Sequence, residues 1–155
     1  MSYHVEASRF VRGVTAPHAY DALIAAPLPQ LFDRRALALS AVREVRGQDG
    51  DWGTVGQTRT IVLADGGTLL ETLTSVDRPR HFGYVLSDVT GPLKILADTV
   101  DGVWSVAPER DGVRIGWDWT LHPTLPGRPL MPVFGWMWRR YAALALERVE
   151  TTLRA

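Results

Sequence analysis

Apolar residues in this chain recur with a period of two through its middle and with a helical period at its end. Between residues 41 and 122 they alternate with polar residues in short runs broken by Gly, Asp and Pro, the pattern of antiparallel strands joined by turns. Runs at 41–46, 54–64, 68–76, 81–87, 93–107 and 113–122 are predicted strands, the fifth long enough to carry a bulge. Another, over 6–14, rests on Ala7, Phe10, Val11 and Val14. After it, Thr15-Ala16-Pro17 reads as a helix start, Thr being a good N-cap and Pro suiting the first turn. This predicts a short helix over 18–26, ended by Pro27 and Pro29, and a second over 30–39 with Leu31, Phe32 and Leu39 to bury.

The period changes after a stiff loop containing Pro123, Pro126 and Pro129. Phe134, Trp138, Tyr141 and Ala145 fall at helical spacing within a predicted helix over 130–153, with Met137, Leu144 and Val149 flanking. Arg139, Arg140, Glu147, Arg148 and Glu150 lie mostly off that stripe. Such a helix must bury its apolar face, and the only large apolar surface available is the inner face of the sheet. The loop, with the helix N-terminus through Trp138, is expected to cover one mouth of any space between them.

Register follows from the turns. Treating Asp65-Gly66-Gly67 as a three-residue loop with Gly67 left-handed sets Leu63 opposite Leu69, Ile61 opposite Glu71 and Arg59 opposite Leu73. Ile61, Leu63, Leu69 and Leu73 then share one face. Thr58, Thr60, Thr72 and Thr74 share the other, together with Val62 and Leu70. Arg59 and Glu71 fall diagonally among the leucines. Charged side chains are almost never buried unless paired, so they form either an internal ion pair or a polar patch in a wet cavity. Taking residues 109–112 as a loop sets Trp104 opposite Trp117 and Val106 opposite Ile115. The face of Trp104, Val106, Ile115, Trp117, Trp119 and Leu121 opposes that of Arg114, Asp118, Thr120 and His122. Phe82, Tyr84 and Leu86 alternate likewise on the strand between.

Composition narrows the chemistry. The chain has no cysteine, which excludes disulfides and thiolate metal sites. Its 17 basic and 17 acidic residues cancel, leaving no electrostatic footprint for nucleic acid. No apolar run approaches the ~20 residues of a transmembrane helix. Met1 to Glu6 lacks the basic and apolar regions of a secretory signal, so a cytoplasmic protein is expected. His4, His18, His81 and His122 have no metal-ligand spacing, and neither a phosphate loop nor a Gly-x-Ser-x-Gly elbow is present. No metal or cofactor is expected. Of six Trp, Trp104, Trp117, Trp119, Trp136 and Trp138 fall in the last third, as either a Trp-heavy core or the wall of an aromatic cavity.

The run Trp52-Gly53-Thr54-Val55-Gly56-Gln57-Thr58-Arg59, then Asp65-Gly66-Gly67, Glu71-Thr72-Leu73-Thr74, Asp77, Pro79 and Tyr84, resembles the bacterial polyketide-cyclase/dehydrase and lipid-transport group of the START-like (SRPBCC) superfamily. Trp104, Pro108, Gly112, Trp117, Trp119, Pro123 and the closing helix resemble it too, so the likeness covers nearly the whole chain. It implies one α+β domain over 1–155 with the helix-grip (Bet v 1/START-like) fold. In that fold a curved antiparallel sheet of about seven strands wraps a long C-terminal helix, with two short helices after the first strand. It also implies a cavity between sheet and helix. Arg59, Glu71, Tyr84, Trp104, Trp117, Trp119, Phe134, Trp138 and Tyr141 are the residues expected to line it. Three functions stay open: binding or transport of a hydrophobic, aromatic or lipid-like small molecule; cyclase, aromatase or dehydratase chemistry in the same cavity; and a protein-interaction module. A homodimer is allowed but not required.

Overall fold

The structure, a computed structural model, describes residues 1–155. In chain order its elements are β1 (Tyr3–Arg12), α1 (Ala16–Ala25), α2 (Leu28–Leu31), β2 (Val42–Arg46), β3 (Thr58–Leu63), β4 (Thr68–Asp77), β5 (His81–Ser87), α3 (Leu93–Leu96), β6 (Ala97–Glu109), β7 (Gly112–Pro123) and α4 (Met131–Arg154). The strands form one antiparallel sheet in the order β1-β7-β6-β5-β4-β3-β2. Pairing of the first strand with the last leaves β1 and β2 at opposite edges, and α1 and α2 carry the chain between them. The fold is α+β helix-grip, with α4 packed into the concave face of the sheet.

Where elements begin and end differently from expectation, a side chain or a tertiary contact decides. Thr15 caps α1 as expected, its Oγ1 accepting from the His18 N–H at 3.4 Å. The second helix is one turn only. Residues 33–41 form a loop instead, tied to α4 by Arg148 bonding Asp33 and by Arg34 Nη2 donating to the Leu144 carbonyl at 2.9 Å. These contacts outweigh weak helix propensity. β3 begins at Thr58 rather than 54 because Gln57 Oε1 accepts the N–H groups of Gly53 and Thr54 at 2.8 and 2.6 Å, holding that segment as a turn. The expected long fifth strand opens with α3, since Gly91 (φ 79°) and Pro92 start a helical turn there. The expected bulge follows, between Ala97 and Thr99.

The β3–β4 register is two residues away from the expected one. Arg59 stands directly opposite Glu71, and Ile61 opposite Leu69. Gly66, not Gly67, takes the left-handed conformation (φ 92°), while Leu63 N–H donates to the Gly67 carbonyl. A Cβ on Gly67 would lie 2.8 Å from the Thr90 carbonyl oxygen, so this turn also needs glycine for close approach. A slip of two preserves the faces: the leucines and both charges remain inside. The β6–β7 pairs Trp104–Trp117 and Val106–Ile115 are as expected, but pairing extends to Glu109–Gly112 and leaves Arg110 and Asp111 as the loop.

On α4, Phe134, Trp138, Tyr141, Ala145 and Val149 are buried as the helical spacing requires, joined by Met131, Ala142, Leu146 and Leu153. They meet the rings of β6 and β7. Trp104 stacks on Trp117 with centroids 4.9 Å apart, and Trp138 lies 4.9 Å from Trp117 on the other side.

Candidate functional site

The filled layer of rings stops short of β3 and β4. Beside it lies a cavity of about 140 Å³ lined by 27 residues, 22 of them hydrophobic. Leu23, Ile24, Leu28 and Leu31 of the short helices, with Phe32 just after them, close one side, and Ile61, Leu63 and Leu69 of the β3–β4 hairpin another. Phe82, Tyr84 and Leu86 of β5 form the floor with Trp104, Trp117 and Trp119, while Met137 and Tyr141 of α4 cover it. Leu93 and Leu96 of α3 complete the wall.

Two polar features interrupt this surface. The first is the pair of buried charges. Arg59 Nε donates to Glu71 Oε1 at 2.6 Å and Nη1 donates to Gln48 Oε1 at 2.9 Å. The guanidinium also sits 3.9 Å from the centroid of a Trp52 ring, a geometry that favours a cation over an aromatic face. Burial pushes the Glu71 carboxyl above its ordinary range, and the Arg59 charge and hydrogen bond only partly oppose this. Arg59 also borders a larger, solvent-facing cleft of about 650 Å³ whose wall includes Asp21, Arg43, Glu44, Gln48, Asp51 and Trp52. Ile24, Ala26, Leu28 and Arg59 border both spaces and form the partition between them. The larger space is a polar surface groove; the smaller has the apolar character of a ligand site.

The second feature is Tyr84. Its hydroxyl accepts the indole N–H of Trp117 at 2.8 Å and of Trp119 at 2.9 Å. The ring can lie across β6 only because the facing residue is Gly102, where a Cβ would be 2.2 Å from Tyr84 Cζ. Burial raises the pKa of this phenol, with the Glu71 charge adding to the effect. Tyr141, also raised by burial, donates its hydroxyl proton to the Ser40 carbonyl at 2.9 Å.

Of the nine residues singled out in the sequence, Arg59, Glu71, Tyr84, Trp104, Trp117, Trp119 and Tyr141 border the cavity. Phe134 and Trp138 do not. They pack on the Trp-rich strands, Trp138 with its centroid 4.9 Å from that of Trp117 and Phe134 6.3 Å from Trp119, and Trp138 is fully buried with its indole N–H unpartnered. Met137, one residue round the helix, takes that place. Sequence reasoning missed Phe32, stacked on Tyr141 with centroids 5.4 Å apart, and the outer-cleft residues Gln48 and Trp52 that hold Arg59. The Gly- and Asp-rich stretch holding Gln48 and Trp52 has no periodicity from which to infer their direction. Of the segment expected to cover the cavity, residues 123–138, only Met137 borders it, so the proline-rich loop itself is not the cover. The loop packs behind α3, with the Thr124 N–H donating to the Leu96 carbonyl and Gly127 against the same group.

His4, Glu6 and Asp118 bring potential metal-ligand atoms within 4.8 Å of one another. They sit across the β1–β7 pairing, on side chains open to solvent. No helix is long and apolar enough to cross a membrane.

Comparison with known proteins agrees with this fold. Residues 4–154 match the family model described as polyketide cyclase / dehydrase and lipid transport. The crystal structure of Ara h 8.0201 superposes with a TM-score of 0.72 over 99% of both chains at 16% identity, a likeness of fold alone. No curated protein matches.

Proposed function

This chain belongs to the polyketide cyclase / dehydrase and lipid transport family, and we propose that it binds a small apolar molecule in the cavity between β3–β7 and α4. The observation that carries this reading is the cavity itself, with 22 hydrophobic residues among its 27 and a single buried ion pair at one edge. Its size of about 140 Å³ is near the ~150 Å³ at which an apolar protein cavity binds benzene. The body of the ligand is therefore about one ring, smaller than the several hundred Å³ of most ligand pockets. Phe134 and Trp138 act as packing, and Arg59, Glu71, Tyr84, Trp104, Trp117, Trp119 and Tyr141 are the ligand contacts.

Isopropylbenzene tests this directly. Titrated into the protein and followed by NMR, it should saturate and shift the methyl resonances of Leu28, Ile61 and Leu69. Linear, unsaturable shifts, or shifts confined to other surfaces, would refute the reading. Native mass spectrometry of protein from its own host then addresses the natural ligand.

A second reading, cyclase or dehydratase chemistry, is favoured by one observation. Glu71 is a buried carboxyl with a raised pKa at the cavity wall, the condition in which a carboxyl group exchanges protons with a bound substrate. That reading requires turnover that Glu71→Gln abolishes while binding persists.

A further inference from the structure

The hydroxyl of Tyr84 is placed so that it can only donate. Both lone pairs of its oxygen are taken by the Trp117 and Trp119 indole N–H groups, at 2.8 and 2.9 Å. Its own proton has no protein acceptor. The nearest buried carboxylate is Glu71, which lies on the same face of the sheet but is bonded to Arg59 Nε instead. The ring cannot turn aside, because it is laid against Gly102 on one side and the two indoles hold its oxygen. Hydrogen bonds accepted by an oxygen polarise its own O–H, so this proton is a stronger donor than that of an isolated phenol. The pKa, raised by burial, keeps the group protonated at neutral pH.

A buried donor without an acceptor is costly, and Tyr84 differs from the unpartnered Tyr20, Arg34, Trp52 and Trp138 of this chain in bordering the apolar cavity. Here it belongs to a residue that is itself only 6% exposed and borders an apolar cavity. Resting on the ligand-binding reading above, we infer that Tyr84 is the specificity-determining donor of this cavity and that its ligand carries a hydrogen-bond-accepting oxygen, a carbonyl or ether, on a body of about one ring. A site built to bond an oxygen discriminates strongly against the analogue lacking it, because the site's own polar group is then left unpaired. The two tryptophans act as positioning residues, fixing the hydroxyl as a donor.

Acetophenone and isopropylbenzene share one heavy-atom skeleton and differ in whether an acceptor is present, so they separate this inference from the reading beneath it. Dissociation constants of both are measured by NMR titration for the wild type and for Tyr84→Phe. The expected result is an affinity for acetophenone about five- to tenfold weaker in Tyr84→Phe, as the loss of one buried hydrogen bond implies, with the isopropylbenzene affinity unchanged. Independently of any variant, the carbonyl carbon of labelled acetophenone bound to the wild type should resonate downfield of its position in cyclohexane, as a hydrogen-bonded ketone does. If Tyr84→Phe fails to fold, that resonance decides. Equal weakening of both probes would mean that Tyr84 is structural, and a cyclohexane-like carbonyl would mean that no donor meets the ligand. Either overturns the inference and leaves the cavity reading standing, as does binding of isopropylbenzene alone. Binding of neither probe overturns both.

Discussion

The concave face of this sheet has two halves built on opposite plans. Over β6 and β7, Trp104, Trp117 and Trp119 pack against Trp138 and Phe134 of α4, with ring centroids 4.9 to 6.3 Å apart. Over β3 and β4 the inward residues are leucines, an isoleucine and an ion pair, and the cavity lies there. The difference follows from side-chain shape. Flat rings on paired strands interlock, so the helix can close down upon them. Between the leucines of β3 and β4 and the helix lies the cavity, which Met137 and Tyr141 border from α4 while α1 and α2 close another side. The aromatic layer thus has two duties: it packs under α4 through Trp138 and Phe134, and through Trp104, Trp117 and Trp119 it forms one wall of the cavity.

If that division is real, truncation should be most costly in the filled half. Trp138→Ala should lose about 3–5 kcal/mol in urea unfolding, the range for removing a large buried aromatic. Leu69→Ala, on the cavity wall, should lose about 2–3 kcal/mol, at the low end of the leucine range, because its neighbours already lack full contact on one side. Equal losses would abolish the distinction.

The ion pair gives the next largest effect and a pH signature. Arg59→Met strands Glu71 in an apolar wall, and breaking a buried pair costs about 3–5 kcal/mol. The folded-state pKa of Glu71 already lies above its ordinary 4.5 because of burial, and loss of the arginine raises it further. A carboxyl that holds its proton more tightly when folded contributes stability that is complete at low pH and is lost as pH rises through the folded pKa. The defect of Arg59→Met should therefore be small near pH 4 and grow toward pH 8. Urea midpoints across that range check it, and a pH-independent defect would mean that solvent from the outer cleft reaches the carboxylate.

How much of this division the sequence carried depends on the kind of information involved. Alternation assigned inward faces correctly for Leu69, Leu73, Trp104 and Trp117, because parity survives even the two-residue error at the Asp65 turn. It placed Arg59 and Glu71 on one inner face, though diagonal where they are directly opposed. It could not separate Trp138 from Tyr141: both lie on one helical stripe, and only the three-dimensional position of the tryptophan pairs decides which faces a filled layer. Nor could it find Trp52 and Gln48, whose directions are set by a loop and by contact with Arg59 rather than by a repeat. The bounds of α2 and the existence of the single-turn α3 were likewise hidden, since tertiary contacts and a Gly-Pro pair fix them.

Enlarging side chains probes the same contrast from the other side. Ala142→Leu adds bulk to a fully buried helix position in the filled half and should cost about 1–3 kcal/mol by overpacking. Leu69→Phe adds bulk where the cavity can accept it and should change stability by less than about 1 kcal/mol. It should also weaken isopropylbenzene binding. Unfolding midpoints and the NMR titration, taken together, sharpen the boundary; a large stability loss in Leu69→Phe would place that residue in the filled half.

The smallest expected effect lies on the seam. Tyr141 touches both halves: its ring is stacked on Phe32 at 5.4 Å and lies 6.4 Å from Trp117, while its hydroxyl reaches out to the Ser40 carbonyl. Tyr141→Phe keeps the ring and deletes only that hydrogen bond, so about 1 kcal/mol should be lost. The loss should also be local, because Ser40 lies near the end of the loop over 33–41, which is otherwise tied to α4 through Asp33 and Arg34. Hydrogen exchange should accordingly quicken for the Val42 amide, which donates to the Phe32 carbonyl at the end of this loop, and stay unchanged at Trp117. Protection lost equally at Trp117 would show that the hydroxyl braces the ring stack as well, and that the two halves are mechanically one.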